Sequence, residues 1–579
     1  DAALADRHVL RVLKLSRSSV RSEQMQLSSS LLQGTCGRPR SLSDAVDLLA
    51  RKRPGVNAAE EFNSDSSLTY SELALWSARI GRGLEEMCSE DDSAVAALMQ
   101  RGCAFYAVYI AVARTCRPFL PLSLDHSDRV AQERRWRDAL QVALPSLVII
   151  DALGQQSWAE VPRPKPAAVS IEDLCAGESL QVDAAGCRQP GPDDILALVF
   201  TGGSTRAARC VRITHGMALH ELEHYHEAVP LRDGDRVLQL SSAYWGAALL
   251  GEVDVALSCA GTAVFAQVAG PEAVWEVVRK RGVTVLGIVP ALLAHLPVAE
   301  VQQTNLRTVI AWADTCPAAL SQRWRRAGVE VVELLIATEY WLSLSARGGA
   351  YQPVSDVQLR VAAADGDGSE ASAGTSGELW LGGPMISPGY CGPSAPEFPI
   401  VTFKGVQYLR TGDLVRRTAD GKGIEFAGRR DMMVKSGGKW LDLLALEERL
   451  RSLPGVAEAA VAADPSLGTQ LHALVRIEAG ASCADGLSEV ASCAEAVRMA
   501  LPGDIAANLH FVSGPLPRVP ATQKLDMHSI SRLVAKDWLS ETVWLRAAED
   551  AQQHLSLWAA WTAALLAVGW RYPPVLTRV

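Results

Sequence analysis

The segment LALVFTGGSTRAARCVRITHG, residues 196–216, constrains the fold of this chain more than any other feature. A short apolar run ends in a turn of glycines and hydroxyls, and a second apolar run follows. Such a turn lets backbone N–H groups close on a phosphate, and cations behind it neutralise the charge. The Walker spacing of glycines before Lys-Ser/Thr is not met. Taken alone, the segment is equally typical of a surface hairpin loop.

Length and composition narrow the class of protein. A chain of 579 residues is too long for one core, so two to four domains are expected. Its 48% hydrophobic and 21% charged residues are typical of a soluble globular protein. The net charge of −9 gives no electrostatic support for a nucleic-acid partner. Twelve scattered cysteines without CxxC pairs favour reduced thiols and a cytoplasmic protein over disulfides or a zinc site.

The two ends of the chain differ from its middle. Residues 1–40 are polar and Ser-rich, which predicts an extension or linker and no secretory signal. The chain begins at Asp1 and not at Met, so we expect a piece of a longer protein. The longest apolar run, residues 555–570, is interrupted by polar residues and falls short of about 20 residues, so no membrane span is predicted.

Strand and helix patterns alternate through most of the chain, which predicts an α/β fold with parallel pairing. The clearest strand predictions are residues 94–99, 146–150, 283–289, 308–311 and 331–336, with residues 111–113 on a helix. Residues 151–193 are rich in Pro, Gly and Ala, so we expect an insertion or surface loop there.

Residues from 428 onward predict a smaller α+β unit. Strands are expected at 456–462, 470–477 and 510–512, with a helix at 488–501. The predicted organisation therefore has four parts: an extension at 1–40, a large domain at 41–427, a small domain at 428–530 and a helical tail at 531–579.

Several segments, taken in order, resemble motifs of the adenylate-forming superfamily, which includes acyl-CoA synthetases, luciferases and nonribosomal peptide synthetase adenylation domains. Residues 201–209 resemble its phosphate-binding loop, Thr-Ser-Gly-Thr-Thr-Gly-x-Pro-Lys. Here a glycine is replaced by Arg206 and the lysine by Arg209, which keeps the charge but changes its reach. The resemblance implies that ATP phosphates are bound by Thr201, Gly202, Gly203, Ser204, Thr205 and Arg209.

Residues 333–339 resemble the Tyr-Gly-x-Thr-Glu motif at its last two positions. The resemblance implies that Glu339 holds Mg²⁺ and that Thr338 contacts phosphate, so both are catalytic candidates. Leu335 stands where an aromatic residue packs on adenine. Trp312 and Asp314 stand in the place of a Gly-Gly-Glu motif, and Trp312 is expected to fill space that relatives leave open.

The later motifs complete the resemblance. Residues 377–380 with Gly389-Tyr390 resemble the sixth core motif, and residues 408–414 match the motif whose aspartate, Asp413, binds the ribose. Residues 428–439 resemble the interdomain hinge. There Arg429 is implied to contact ribose or phosphate, Asp431 to absorb the rotation, and a loop with Lys435, Gly437 and Gly438 to serve the second half-reaction.

Residues 516–526 resemble the terminal motif, Pro-x-x-x-x-Gly-Lys. The resemblance implies that Lys524 is the catalytic lysine, which bridges the substrate carboxylate and the α-phosphate. Gln523 takes the place of the usual glycine. The implied fold is a large N-terminal adenylate-forming domain of mixed sheets and helices with a small α+β C-terminal lid.

The stretch SSAYWGAALLGE, residues 241–252, corresponds to the substrate pocket of relatives. Ala247 falls where an aspartate holds the ammonium of α-amino acids, so such a substrate is disfavoured for lack of a counter-ion. Tyr244 and Trp245 indicate apolar or aromatic contact instead. The pattern most resembles synthetase-type and β-alanine-activating adenylation domains. The tail from residue 531 resembles the first helix of a carrier-protein domain.

The resemblance implies that Mg²⁺ and ATP activate a small carboxylic acid or non-standard amino acid as an acyl-adenylate. Transfer would follow to a phosphopantetheine thiol, on a carrier protein or coenzyme A. Two alternatives stay open. The departures at Arg206, Leu335, Trp312, Asp314 and Gln523 allow a pseudoenzyme that binds nucleotide or a partner without turnover. A remote alternative is a zinc peptidase, with His220, Glu221 and His224 in an H-E-x-x-H pattern and Glu252 as a conceivable third ligand. Against it, the helix is polar and is expected to be solvated, and the spacing of Glu252 is not convincing.

Overall fold

The structure is a computed structural model that describes residues 38–534 of the chain, apart from internal gaps. The positions outside the described part are 1–37, 65, 89–92, 123, 125–128, 162–164, 176–187, 202–207, 364–367, 373, 431–432, 437–438, 464–470, 478–485, 503–504, 506–508, 513–514, 519–524, 526 and 535–579.

A nine-stranded mixed sheet forms one half of the large N-terminal domain. Its central strands are parallel, short and apolar, and several are buried along their whole length, as expected for a sheet covered on both faces. In spatial order the strands are β15 (Gln352–Pro353), β14 (Tyr340–Ala346), β13 (Glu330–Ala337), β12 (Thr308–Ala311), β11 (Val285–Ile288), β9 (Arg236–Gln239), β10 (Thr262–Phe265), β1 (Asn57–Glu61) and β2 (Ser67–Thr69).

A seven-stranded sheet forms the other half, and the two sheets meet where their strands end. An isolated bridge joins Phe200 to Trp245, and the N–H of Phe200 donates to the carbonyl of Tyr244 at 3.2 Å. In spatial order the strands are β18 (Tyr390–Cys391), β8 (Cys210–Thr214), β7 (Ile195–Phe200), β4 (Phe119–Leu122), β3 (Val95–Leu98), β5 (Leu147–Ile150) and β6 (Ala167–Ser170).

A five-stranded antiparallel sheet follows, and its long central strand carries the Thr-Gly-Asp segment at a bulge. A bridge between Tyr340 and Ile386 links the end of the nine-stranded sheet to the segment that leads into β18. The strands are β16 (Gln358–Ala362), β17 (Ser376–Gly382), β20 (Val406–Arg417) and β19 (Ile400–Phe403), with β21 (Ile424–Arg429) paired to β20.

The helices cover these sheets, and several of them begin with a side chain that caps the first turn. The second helix begins with a capping box, in which Thr69 accepts from the backbone of Glu72 and Glu72 accepts from that of Thr69. The helices of this region are α1 (Leu42–Lys52), α2 (Tyr70–Met87), α3 (Cys103–Arg114), α4 (Arg129–Ala143), α5 (Ala152–Glu160), α6 (Ile171–Cys175), α7 (His215–Ala228), a π-helix (Ala247–Val253), α8 (Asp254–Ser258), α9 (Pro271–Lys280), α10 (Pro290–Leu293), a 3₁₀-helix (Val298–Gln303) and α11 (Ala318–Arg326).

The small C-terminal unit has the predicted α+β character, with its own apolar cluster around Leu450, Val475 and Val497. Its elements are the hairpin β22 (Met433–Ser436) and β23 (Lys439–Asp442), helix α12 (Leu443–Arg451), strands β24 (Val456–Ala463) and β25 (Leu471–Ile477), helix α13 (Gly486–Ala500), strand β26 (Leu509–Phe511) and helix α14 (Met527–Val534).

The predicted strands and helices of both domains are confirmed to within a few residues at their ends. The prediction of a surface loop over 151–193 is wrong for residues 152–175, while residues 176–187 lie outside the described part. This segment holds α5, β6 and α6, and β6 extends the parallel sheet beside β5. The side chains of Trp158 and Leu174 anchor it in the core. None of the described helices combines the length and the apolar composition needed to cross a lipid bilayer.

Candidate active site

Thr201 and Arg209, at the two ends of the predicted phosphate loop between β7 and β8, are hydrogen-bonded to each other. The N–H of Thr201 donates to the carbonyl of Arg209 at 2.9 Å, and the N–H of Arg209 donates to Thr201 Oγ1 at 3.0 Å. These reciprocal bonds hold the two ends of the loop side by side. Gly202, Gly203, Ser204, Thr205 and Arg206 lie outside the described residues.

Arg209, Tyr390 and Glu339 form a cluster of side chains from three distant segments. Arg209 donates to Tyr390 Oη at 2.5 Å, and Tyr390 Oη donates to Glu339 Oε1 at 2.8 Å. The guanidinium also lies over the Tyr390 ring, 5.1 Å from its centroid, and 3.9 Å from Glu339 Oε1. Burial, followed by the charge of Glu339, raises the pKa of Tyr390, so its hydroxyl stays protonated as the donor. The backbone of Glu339 is fixed as well, because its carbonyl accepts from Ser387 N at 2.9 Å.

A second cluster surrounds Asp413, the predicted ribose ligand. Tyr340 Oη donates to Asp413 Oδ2 at 2.5 Å, and Arg429 Nη1 donates to Oδ1 at 3.1 Å. Asp413 and Arg429 are register partners on β20 and β21, and Asp413 is 3% exposed. Gly412, with φ +76°, lies at a bulge in β20 and has a conformation that a residue with a side chain would adopt only with strain.

Tyr340 joins the two clusters, because it follows Glu339 directly in the chain. The peptide bond between them ties the Asp413 cluster to the Arg209–Tyr390–Glu339 cluster. The structure thus brings Thr201, Arg209, Thr338, Glu339, Asp413 and Arg429 into one connected region. Motif reasoning had placed Gly389-Tyr390 in a motif without a role for the tyrosine, and it missed Tyr340. A tyrosine next to a predicted metal ligand was the available signal.

Trp312 is buried, as expected, and it shares its space with Trp341, a residue that motif reasoning did not find. The two rings lie 6.4 Å apart, and each residue is at most 5% exposed. A Cβ added to Gly287 would lie 1.8 Å from Trp312, and one added to Gly251 would lie 2.9 Å from Trp341. Trp341 also donates to Tyr225 Oη at 2.8 Å. The pair therefore fills the space between β11 and the π-helix.

The backbone after Trp312 keeps the shape of a glycine motif. Ala313 has φ +72°, in the left-handed region that favours glycine, at a position where the family pattern has Gly. The start of the π-helix lies close to the predicted catalytic motif, because a Cβ added to Gly246 would lie 3.4 Å from Trp341 and 3.6 Å from Thr338 Cγ2. Ala247, next in the chain, is half-buried.

Tyr244 and Trp245 come just before the start of the π-helix in the chain. The Tyr244 ring stacks on Phe200, with centroids 4.6 Å apart and an interplanar angle of 8°. Arg135 lies over both rings, 5.4 Å from the Tyr244 centroid and 5.3 Å from that of Trp245. Tyr244 is buried and Trp245 half-buried, and these aromatic side chains pack where the two sheets meet.

Several predicted residues have no described environment. Lys524, Asp431, Gly437 and Gly438 lie outside the described residues. Lys435 is described only as part of the β22–β23 hairpin, opposite Trp440. Their roles therefore stay predictions.

The H-E-x-x-H helix is not the solvated helix that was expected, because α7 buries most of this motif. His220 Nε2 donates to the carbonyl of Leu342 at 3.0 Å, and burial lowers the pKa of His220 to about 4. His224 Nδ1 bonds to Glu227 at 2.8 Å. Glu221 is fully buried and faces Asp254. Within the described ranges no group of three His, Cys, Asp or Glu side chains is placed to hold a metal ion.

Glu252, the conceivable third ligand, belongs to a different network. Its carboxylate accepts from the Ser241 hydroxyl at 2.7 Å, from Gln239 Nε2 at 2.8 Å and from two backbone N–H groups, those of Leu240 and Ser241. Burial raises the pKa of Glu252 to about 8, although the Ser241 hydroxyl and the charge of Arg101 oppose the rise. The network fixes the π-helix against the end of β9.

The chain combines a mixed α/β domain with a small α+β lid. It also has a phosphate-loop hairpin, a Thr-Glu motif and a ribose-type aspartate in one region. Together these features define the class of the adenylate-forming enzymes. Residues 47–391, more than half of the chain, match the model of the AMP-binding enzyme family. The chain belongs to this family.

Two curated proteins are similar to the chain. Phenyloxazoline synthase MbtB of Mycobacterium sp. (strain MCS) is 33% identical over 319 residues, which are 51% of this chain and 27% of that protein. Benzoate–CoA ligase of Thauera aromatica is 30% identical over 307 residues, 50% of this chain and 56% of the ligase. The chain therefore spans only part of the length of either relative.

Among solved structures, Klebsiella oxytoca NpsA in complex with 3-hydroxyanthranilyl-AMSN is similar with a TM-score of 0.71. The match covers 86% of this chain and all of that one at 19% identity. At this identity the likeness shows the fold, and it extends through both the large domain and the lid.

Proposed function

We propose that the protein uses ATP to activate a carboxylic acid as an acyl-adenylate, releases pyrophosphate, and passes the acyl group to a thiol. One observation carries the proposal: Arg209, Glu339 and Tyr390, from three separate segments, are in direct contact, and Tyr340 connects them to Asp413. Packing alone does not require the positive charge of Arg209, the negative charge of Glu339 and a hydroxyl bonded to both at the end of the β7–β8 hairpin.

In the adenylation step, a carboxylate oxygen of the acid attacks the α-phosphorus while the bond to pyrophosphate breaks. Transfer at phosphorus depends mainly on positioning and charge neutralisation. Arg209, and Lys524 from the lid, would supply positive charge. Asp413, with two carboxylate oxygens in a fixed orientation, would accept hydrogen bonds from the ribose hydroxyls.

The donor set near the loop fits Mg²⁺ bound with the nucleotide. Mg²⁺ commonly uses one or two carboxylates together with substrate phosphates and water, and a single hard carboxylate such as Glu339 suits this arrangement. Bound there, the ion would offset the negative charge of the phosphates. Tyr390 and Arg209 would hold the Glu339 side chain in place.

We propose that the acid lacks an α-ammonium group. Ala247 offers no carboxylate, Glu252 is held by the Ser241–Gln239 network, and Asp254 faces the buried Glu221. The Trp312–Trp341 pair occupies the space below the π-helix, which favours a small acid.

Replacing Trp312 with leucine is expected to change acid selectivity. The smaller side chain opens space beside Gly287 and Gly251. The kcat/KM for a bulkier acid should therefore rise about tenfold relative to that for the preferred acid. This magnitude follows because one added pocket contact is worth about 1–3 kcal/mol. Steady-state kinetics with a size series of acids measures the ratio. The control is Trp275→Leu, a buried tryptophan in another cluster, which should leave the ratio unchanged. An unchanged ratio in Trp312→Leu would place the pocket elsewhere.

For the second half-reaction we propose that a lid at 428–530 rotates about Asp431 against a large domain at 41–427. The loop with Lys435, Gly437 and Gly438 would then face the acyl-adenylate, and closure would exclude water from the reactive anhydride. The acceptor we propose is a phosphopantetheine thiol of a carrier protein, because the family resemblance extends to nonribosomal peptide synthetase domains and a carrier-like helix pattern begins at 531.

The proposal is tested by acid-dependent exchange of labelled pyrophosphate into ATP across a panel of carboxylic acids. Exchange with at least one acid supports adenylation. Tight nucleotide binding without exchange across the panel would instead establish the pseudoenzyme alternative and reject the proposal.

Lys524→Ala is expected to lower this exchange by about tenfold or more, since the variant loses the positive charge at the α-phosphate. Lys422→Ala, which changes an exposed lysine in a turn, serves as the matched control and should exchange like the wild type. Full exchange by Lys524→Ala would remove Lys524 from the mechanism.

A further inference from the structure

Two cysteines face each other across the β8–β18 pair at the edge of the seven-stranded sheet. Cys210 and Cys391 are register partners in an antiparallel ladder, so their side chains lie on the same face. Both are free thiols, and they interact through a side-chain hydrogen bond. Directly opposed residues of such ladders have Cα atoms about 4.5–5.5 Å apart, within the range that a disulfide spans.

The two thiols differ in their environments. Cys210 is 2% exposed, whereas Cys391 is half-buried, and only the second is accessible enough to meet a small reagent. The Cys210 thiol and the charge of Arg212 lower the pKa of Cys391, while the interaction with Cys391 and burial raise that of Cys210. The thiolate is the nucleophilic form of cysteine, so Cys391 is the attacking group and Cys210 the resolving one.

The pair is adjacent to the candidate active site on both strands. Cys210 directly follows Arg209, and Cys391 directly follows Tyr390, the two residues joined by the 2.5 Å hydrogen bond. A covalent link between the cysteines would therefore act one residue away from the contacts that position Glu339.

We propose that Cys210 and Cys391 form a reversible disulfide when the protein meets a peroxide, and that this bond slows adenylation. A disulfide brings the sulfur atoms to about 2.05 Å, much closer than two thiols in van der Waals or hydrogen-bond contact. The fixed torsion of the bond reorients both side chains and pulls on the two strands, and this pull displaces Arg209 and Tyr390. The effect on activity rests on the proposed function, whereas the formation of the bond does not.

The chemistry balances with peroxide as the oxidant. The Cys391 thiolate attacks one peroxide oxygen, the O–O bond breaks, and the leaving hydroxide takes up a proton to form water. The resulting sulfenic acid then reacts with the Cys210 thiol: the S–S bond forms, the S–O bond breaks, and a second water leaves with the thiol proton. Two thiols are oxidised and one peroxide is reduced to two waters. A dithiol reductant reverses the step by exchange.

The test uses the reduced full chain treated with hydrogen peroxide. Peptide mapping without reductant is expected to yield a linked pair of peptides containing Cys210 and Cys391, and the pyrophosphate-exchange rate should fall about tenfold and recover with dithiothreitol. Cys210→Ser and Cys391→Ser should keep the basal rate and lose the response to peroxide. Cys316→Ser, which changes a buried cysteine elsewhere, should respond like the wild type.

The outcomes separate the two proposals. No linked Cys210–Cys391 peptide, or an inhibition that persists in Cys391→Ser, would overturn the disulfide proposal whatever the activity. A linked peptide without any change in exchange would overturn its effect on adenylation. Absence of exchange in the reduced wild type would count against the proposed function alone, because the peptide map still decides whether the bond forms.

Discussion

Glu339→Gln is expected to lower the acid-dependent rate of pyrophosphate exchange by about 100-fold or more. The substitution keeps the size of the side chain but removes the negative charge, so it weakens both the proposed hard ligand for Mg²⁺ and the acceptor for the Tyr390 hydroxyl. A loss of this size corresponds to about 2.7 kcal/mol of transition-state stabilisation. Exchange kinetics at saturating ATP, with Mg²⁺ varied, measures it.

Two further variants distinguish a role in catalysis from one in folding. Glu339→Asp keeps the charge on a shorter stem, so it should recover part of the rate and require a higher Mg²⁺ concentration. Glu330→Gln, at the start of strand β13, which leads into the turn that carries Glu339, should behave like the wild type. If Glu339→Gln exchanged at the normal rate, or if added Mg²⁺ affected all three variants equally, Glu339 would have no part in the reaction.

The central strands were predictable because buried strands have a simple pattern of apolar residues in the sequence. Strand β12 lies at 308–311, as predicted, because a parallel strand covered on both faces is a short unbroken apolar run. The segment 151–193 has no such unbroken apolar pattern. Its strand β6 is at the sheet edge, with two exposed alanines, and depends on pairing with β5 for its conformation. Edge strands of this kind are set by tertiary contacts that local composition does not contain.

The candidate site was only partly predictable, since motif spacing identifies residues but not the contacts between them. Glu339 and Asp413 were predicted from their motifs. The hydroxyls that orient them come from Tyr390 and Tyr340, which are 51 and 73 positions away from their partners. No local pattern records such a contact. Trp341 was missed for the same reason, because its neighbours Gly251 and Tyr225 belong to other elements.

The prediction that the polar helix α7 is solvated was wrong, because its polar and charged residues were assumed to be exposed. Glu221 is fully buried on this helix, and Asp254 is fully buried opposite it at the start of α8. The carboxyl oxygens of both have no hydrogen-bond donor among the described residues. Burial raises the pKa of both groups, and for Glu221 the neighbouring Asp254 raises it further. The folded protein therefore holds these groups protonated, and a carboxylic acid can donate to its neighbour where a carboxylate cannot.

This pair is expected to make the protein less stable as the pH rises. Because both folded-state pKa values lie above the unfolded ones, the folded state binds more protons above about pH 4. The stabilisation is complete below the unfolded pKa values and is lost as the pH rises toward the folded ones. Each extra proton contributes a slope of about 1.4 kcal/mol per pH unit.

The Glu221→Gln/Asp254→Asn double variant should remove this dependence. Its two amides keep the shapes and can hydrogen-bond without a titrating proton, so its advantage over the wild type should grow from pH 5 to pH 8 and reach several kcal/mol. Scanning calorimetry at each pH measures the difference as a rising gap in melting temperature, about 2–4 °C per kcal/mol in domains of 150–250 residues.

The matched control for this experiment is Glu223→Gln, which removes a half-exposed carboxylate from the same helix. Its melting curve should follow that of the wild type at every pH, because a half-exposed carboxylate contributes little to stability. Parallel curves for the double variant and the wild type would mean that Glu221 and Asp254 do not take up protons on folding. In that case two ionised carboxylates would stand unpaired in the core, a cost that burial of this depth does not allow.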